Sequence, residues 1–252
     1  MPIAYTVTFH SPRPIGMAPG HEDVHRLACQ LMEPPGNPDH HAQDKPYSVG
    51  APQLSDLRPD ELELRVNWLR DAPPAPPGMA KALGRQLTLP KLMVEVVAVR
   101  KEERSYSAMR QLGPLWACDF RFLSPTYFSR SGRDYALPDP ELIIRRLLAR
   151  WNQHVQNEPH LITDQAARAL TSRVILISHE IRTVRISGQN GRGRAGFIGR
   201  ARLGLRTIDR RTPDGLAAAR VFAALSAFAP YNGLGAQTTH GLGATMTLPT
   251  HD

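Results

Sequence analysis

The sequence predicts an α+β protein made of two successive βαββαβ units. Three observations predict it: alternating runs rich in Val, Ile and Thr, amphipathic helical stretches between them, and the same element order met twice in 252 residues. Four antiparallel strands with two helices on one face make the ferredoxin-like arrangement. The expectation is therefore two tandem ferredoxin-like domains, residues 1–112 and 113–252. The repetition lies in element order alone, with no matching repeat of residues.

The first unit opens with the alternating strand "IAYTVTFH". In "GHEDVHRLACQLM", Val24, Leu27, Leu31 and Met32 recur at helical spacing. "KPYSVGAP" reads as a short strand behind a proline, and "ELELRVNWL" alternates Leu62, Leu64, Val66 and Trp68. The prolines between 73 and 77 form a rigid connection, with room for a short helix after them, and "KLMVEVVAVRK" closes the unit as a strand. The second unit begins with the strand "WACDFRFLS". Asp139 caps the next helix and Pro140 suits its first position, with Ile143, Leu147, Trp151 and Val155 on the apolar face. "SRVILISHEIRTVRI" and "RAGFIGRARLGLR" read as paired strands, "GLAAARVFAALSAFA" as an apolar helix stopped by Pro230, and "GATMTLP" as the last strand.

Charge narrows the partner. The 31 Lys plus Arg, mostly Arg, exceed the 23 Asp plus Glu and leave a formal net charge of +8. Arginine forks onto phosphate, so a polyanion is expected, nucleic acid first. Cys29 and Cys118 stand far apart and outside any CxxC pair, which argues against a disulfide framework or a zinc site. His21 and His25 have zinc-binding spacing but no third ligand. No signal peptide and no run of apolar residues long enough to span a bilayer is found. A cytoplasmic protein without membrane partner, metal or cofactor is expected.

The stretch "GLGAQTTHGLG", residues 233–243, is rich in glycine. A phosphate loop or a dinucleotide fingerprint needs a strand before and a helix after, and here the order is reversed. Two readings stay open on spacing alone. One is a pair of tight turns between helix and strand, with Gly233 as the helix stop. The other is a concavity of main-chain N–H groups that takes an anion.

The same stretch resembles the C-terminal glycine-rich loop of the CRISPR repeat-processing endoribonucleases, the Cas6 family of the RAMP superfamily, at Gly233, Gly235, Thr238, Gly241 and Gly243. "FRFLSPTYF" with "LPDPELIIRRLLARWN", "GFIGRARL" and "HHAQDKPYSV" resemble further family segments in the same order. Many members carry Lys or Arg inside the loop where this chain has Ala236 and Gln237. The resemblance implies metal-independent cleavage of CRISPR repeat RNA to crRNA. The 2′-OH attacks the adjacent phosphate and leaves a 2′,3′-cyclic phosphate and a 5′-OH. It admits a non-catalytic RNA-binding subunit of a CRISPR effector complex as the alternative, and other effector subunits or a second copy as partners.

That chemistry needs a base, an acid and positive charge at the phosphate. "PDHHAQDKPYSV" supplies His40, His41, Lys45 and Tyr47. The resemblance places the catalytic histidine here, His41 ahead of His40, with Lys45 stabilising charge and Tyr47 orienting or sharing proton transfer. RNA contacts are expected from Gly233, Gly235, Gln237, Thr238, Thr239, His240, Gly241 and Gly243 of the loop. Arg192, Arg194, Arg200 and Arg202 of the strand region, and Arg145, Arg146 and Arg150 of the helix, complete the expected RNA surface.

Overall fold

A computed structural model describes all residues except 35–44, 71–74, 131, 157, 188–192, 207–209 and 251–252. The first half contains β1 (Ile3–His10), α1 (His21–Met32), β2 (Tyr47–Val49), β3 (Gln53–Leu54), β4 (Glu61–Trp68), β5 (Gln86–Leu89) and β6 (Leu92–Glu103). Its sheet runs in the order β2-β4-β1-β6-β5, with β3 also on β4. The central pairs are antiparallel, Val7 facing Leu64 on one side and Val99 on the other. Val7, Phe9, Leu62, Leu64 and Val66 point to one face, where Val24, Leu27, Ala28 and Leu31 of α1 bury against them. The helix expected after the prolines is only a 3₁₀ turn, Met79–Lys81, and the strand β5 follows it. Gly78 and Gly84 bracket that segment, and too few residues remain between them for a stable α-helix.

A short helix, α2 (Tyr106–Arg110), leads into the second half. There follow β7 (Ala117–Thr126), the hairpin of β8 (Phe128–Arg130) and β9 (Arg133–Tyr135), then α3 (Pro140–His154) and α4 (Asp164–Thr171). The chain ends with β10 (Val174–Ile186), β11 (Arg194–Leu205), α5 (Pro213–Asn232) and β12 (Thr245–Thr250). The sheet order β10-β11-β7-β12, all antiparallel, is the ferredoxin-like order. Asp139 caps α3 by accepting the Leu142 N–H at 3.0 Å, and Pro140 takes the first helical position. Trp151 packs edge-on against Tyr106 and Phe228 in the core of this half.

From Val221 onward α5 is apolar and almost wholly buried, which suits its place between layers, while Asp214, Leu216, Ala217 and Arg220 leave one side of its first turns exposed. It passes through Pro230 and ends at Asn232, two residues beyond the expected stop. Proline at 230 removes the N–H that would reach the Ser226 carbonyl. The Thr247 hydroxyl of β12 donates to that carbonyl instead, at 2.9 Å. No helix among the described residues is long and apolar enough to cross a membrane.

Candidate RNA-processing site

The functional chemistry gathers along one side of α1. His21, His25 and Cys29 recur every four residues, and the stripe continues to the helix cap Glu33. Tyr47 at the start of β2, and Lys45 just before it, approach the same stripe. Lys45 Nζ donates to Glu33 Oε1 at 2.5 Å, and the Tyr47 hydroxyl donates to the same oxygen. Cys29 Sγ lies 3.6 Å from the Tyr47 hydroxyl and 3.5 Å from His25 Nε2. Burial opposes the charge on Glu33, but the bonds from Lys45 and Tyr47 outweigh it and hold the carboxyl below its usual range. Burial, with the bond to Glu33, pushes Tyr47 far above the ordinary phenol, and burial also raises the Cys29 thiol.

Both Lys45 and Tyr47 are therefore turned inward, only 7% and 1% exposed, as parts of a buried polar knot. The knot joins the residues on either side of 35–44. His40 and His41 lie in that segment, outside the described residues, as does Arg192 in its own.

Beyond the knot, the glycine-rich loop docks on α1. His25 and His240 stack at 3.8 Å with rings 7° from parallel, and His25 Nδ1 sits 2.9 Å from the Thr239 carbonyl. A carbonyl only accepts, so Nδ1 of His25 carries the proton. Burial first, then the neighbouring His25, His21 and Lys45, push His240 down to about 4. Together with Pro125, Arg185 and Gly241, His21 and His240 line an open cavity of about 770 Å³ between the two halves.

The loop's glycines serve its own packing. Gly235 and Gly243 have φ of +87° and +68°, and a Cβ on either would collide with the Tyr127 or Leu234 carbonyl. Several loop amides donate within the protein: Gly233 to Ala229, Leu234 to Gly243, Ala236 to Tyr127, and Gly243 to Pro125. Gln237, at φ 55°, accepts from the Tyr127 hydroxyl at 2.9 Å. Arg194 Nη1 donates to that hydroxyl at 2.9 Å, so an Arg194–Tyr127–Gln237 chain ties β11 to the loop. Thr238 is buried, and Gly241 has φ +77° over Val24 of α1.

The arginines divide. Arg145 pairs with Glu141 at 2.5 Å, and Arg146 is exposed beside it. Arg150 departs from the expected shared surface: it is 4% exposed, bonded to Asn232 Oδ1 at 3.2 Å and to the Lys45 carbonyl at 2.7 Å. The four-residue step from Arg146 turns about 40° round the helix, enough to bring Arg150 from the exposed face to the edge of the arc buried with Ile143, Leu147 and His154. On the open face of the second sheet, Arg200 pairs with Glu180 at 2.8 Å and Arg202 forks onto Asp119 at 2.9 and 3.1 Å. Arg121, opposite Arg200 in register, belongs to this face and was missed; its signal was the alternation of "CDFRFL". Glu33 was missed as well, although its spacing from His25 and Cys29 was readable.

The family described as CRISPR-associated endoribonuclease Cas6 matches residues 120–245, half of the chain. No curated protein matches. Among solved structures, a Cas6 product complex is similar at 25% identity and TM-score 0.75, covering 98% of this chain and 100% of that one. Thermus thermophilus Cas6 is similar at 23% identity and TM-score 0.72, with 98% of each chain covered. A Cas6-related protein from Pyrococcus furiosus shares 12% identity at TM-score 0.58, over 98% of this chain and 99% of that one. The tandem ferredoxin-like halves, the glycine-rich loop closing on α1 and the span of the family match agree, and the chain belongs to the Cas6 family of CRISPR-associated endoribonucleases.

Proposed function

We propose that this chain cuts CRISPR repeat RNA into crRNA without a metal ion, by attack of the substrate's 2′-OH on the adjacent phosphate. The products are a 2′,3′-cyclic phosphate and a 5′-OH. The observation that carries this reading is the Glu33–Lys45–Tyr47 knot. It joins the residues flanking the segment with His40 and His41, at the seam where the glycine-rich loop meets α1. One histidine of that pair, His41 ahead of His40, takes the 2′-OH proton. Lys45 and Tyr47 act here by holding the segment's base rather than by touching the phosphate. Solved relatives described as product and substrate-mimic complexes, and one as a His-to-Ala mutant, support the reading.

Arg145, Arg146, Arg194, Arg200 and Arg202, with Thr239 and His240 of the loop, face the RNA in this proposal. Residue 112 divides the two domains. The test is cleavage of a synthetic repeat RNA in EDTA, repeated with one 2′-deoxy sugar at the cut site. Cutting in EDTA that stops with the deoxy sugar is expected. Cutting that needs a divalent ion, or that survives the deoxy sugar, overturns the mechanism. Tight binding without any cutting points to the RNA-binding subunit instead.

A further inference from the structure

We propose that His240 is a second catalytic residue, the donor of the proton that the leaving 5′-oxygen takes, and that His25 positions it. The proposal rests on the nuclease reading above. Cleavage by a 2′-OH needs two proton transfers: one leaves the 2′-oxygen as the O2′–P bond forms, and one reaches the 5′-oxygen as the P–O5′ bond breaks. The histidine of the 40–41 pair accounts for the first and later releases its proton to solvent. Tyr47 and Lys45 are withdrawn into the knot with Glu33, so neither supplies the second.

His240 is the group the structure offers for the second transfer. It lines the cavity of about 770 Å³, on the loop that meets α1. Its ring is held on one face by the stacked His25, and its Nδ1 lies 3.1 Å from the Thr239 hydroxyl. Thr239 is itself held by its carbonyl against His25 Nδ1. This clamp engages Nδ1, which leaves Nε2 as the nitrogen that would serve a substrate.

The charged and titratable groups around it are His21 and His25 of α1 and Lys45 beside β2, with Glu22, Asp23 and Arg185 on the cavity wall. In the free protein the imidazole is neutral at pH 7, being held at about 4. A phosphodiester brought against Nε2 favours the charged form. A proton from solvent therefore enters with the RNA, passes to O5′, and leaves the imidazole neutral beside the cyclic phosphate product.

The experiment compares wild type, His240→Ala and His240→Asn on a repeat RNA and on the same RNA with sulfur bridging at the 5′-position of the cut. A thiolate leaves without protonation, so it needs no acid. Both variants are expected to cut the normal RNA about 100-fold more slowly in kcat or worse, and to match the wild-type kcat on the sulfur RNA. Equal losses on both RNAs, or a wild-type rate on the normal RNA, overturn the acid role. Failure of wild type to cut either RNA overturns the nuclease reading first. For His25, the His25→Ala variant should raise the His240 titration midpoint followed by NMR, because it removes the stacked ring. An unmoved midpoint overturns the positioning role.

Discussion

Glu33 is a buried carboxylate held by one ammonium and one phenol, and its Oε2 has no hydrogen-bond partner among the described residues. Glu33→Gln strands the Lys45 ammonium in a site built for a pair. Breaking such a pair costs about 3 kcal/mol or more, read as a lower urea midpoint, with slower RNA cutting besides. His154 is another buried titratable group: 4% exposed, its Nε2 unpartnered, held at about 3 by burial and then by Arg150 and Arg70. A native state that refuses a proton that the unfolded chain accepts at pH 6.5 loses stability as pH falls below that value, down to the folded midpoint. At pH 5 this amounts to about 2 kcal/mol. His154→Leu should flatten the fall of Tm between pH 6.5 and 4 in calorimetry, and an unchanged slope would show that the proton enters elsewhere.

At the scale of elements, the glycine-rich loop carries the clearest prediction. Gly243→Ala places a Cβ against the Leu234 carbonyl at φ +68° and should cost about 2 kcal/mol or more, measured by thermal melting, and weaken RNA binding with it. Gln237→Ala removes one side-chain bond to Tyr127, and its effect should stay below about 1 kcal/mol. The spacing admits glycine here as room for an approaching phosphate, whereas the carbonyls of Tyr127 and Leu234 already take up that room. The long elements were legible: β10 and β11 alternate over 13 and 12 residues, and α3 announces itself by its cap and its proline. The hairpin β8–β9 and the helices α2 and α4 were not, since 3 to 8 residues carry too little periodicity. The site was half legible. His21, His25, Cys29 and Glu33 show their common side of α1 in the spacing. That His240 would stack on His25 depends on tertiary folding across 215 positions, which no local pattern encodes.

For the molecule as a whole, RNA affinity should fall steeply as salt rises, because each phosphate contact releases counterions. Filter binding from 50 to 300 mM salt, about the range where this law is read, should give a straight log–log line. Arg146→Ala should make that line shallower, and an unchanged slope would remove α3 from the RNA surface. The arginine pairs with Glu180 and Asp119 moderate the open sheet face, so the net charge of +8 overstates what that face offers RNA.

The end of α5 is finished by the other half of the chain. Ser48 donates to the Tyr231 carbonyl at 2.5 Å, Asn67 supports Ser48 at 2.9 Å, and Arg150 spans from Asn232 to the Lys45 carbonyl. A helix end needs its last carbonyls answered, at about 1 kcal/mol each. A fragment of residues 113–252 would keep its own sheet and lose these partners, so hydrogen exchange should find its fraying concentrated at 229–243. On a ribosome the first half emerges before α5 exists. The half that carries the histidine pair is then also the surface on which the end of α5 and the glycine-rich loop are completed.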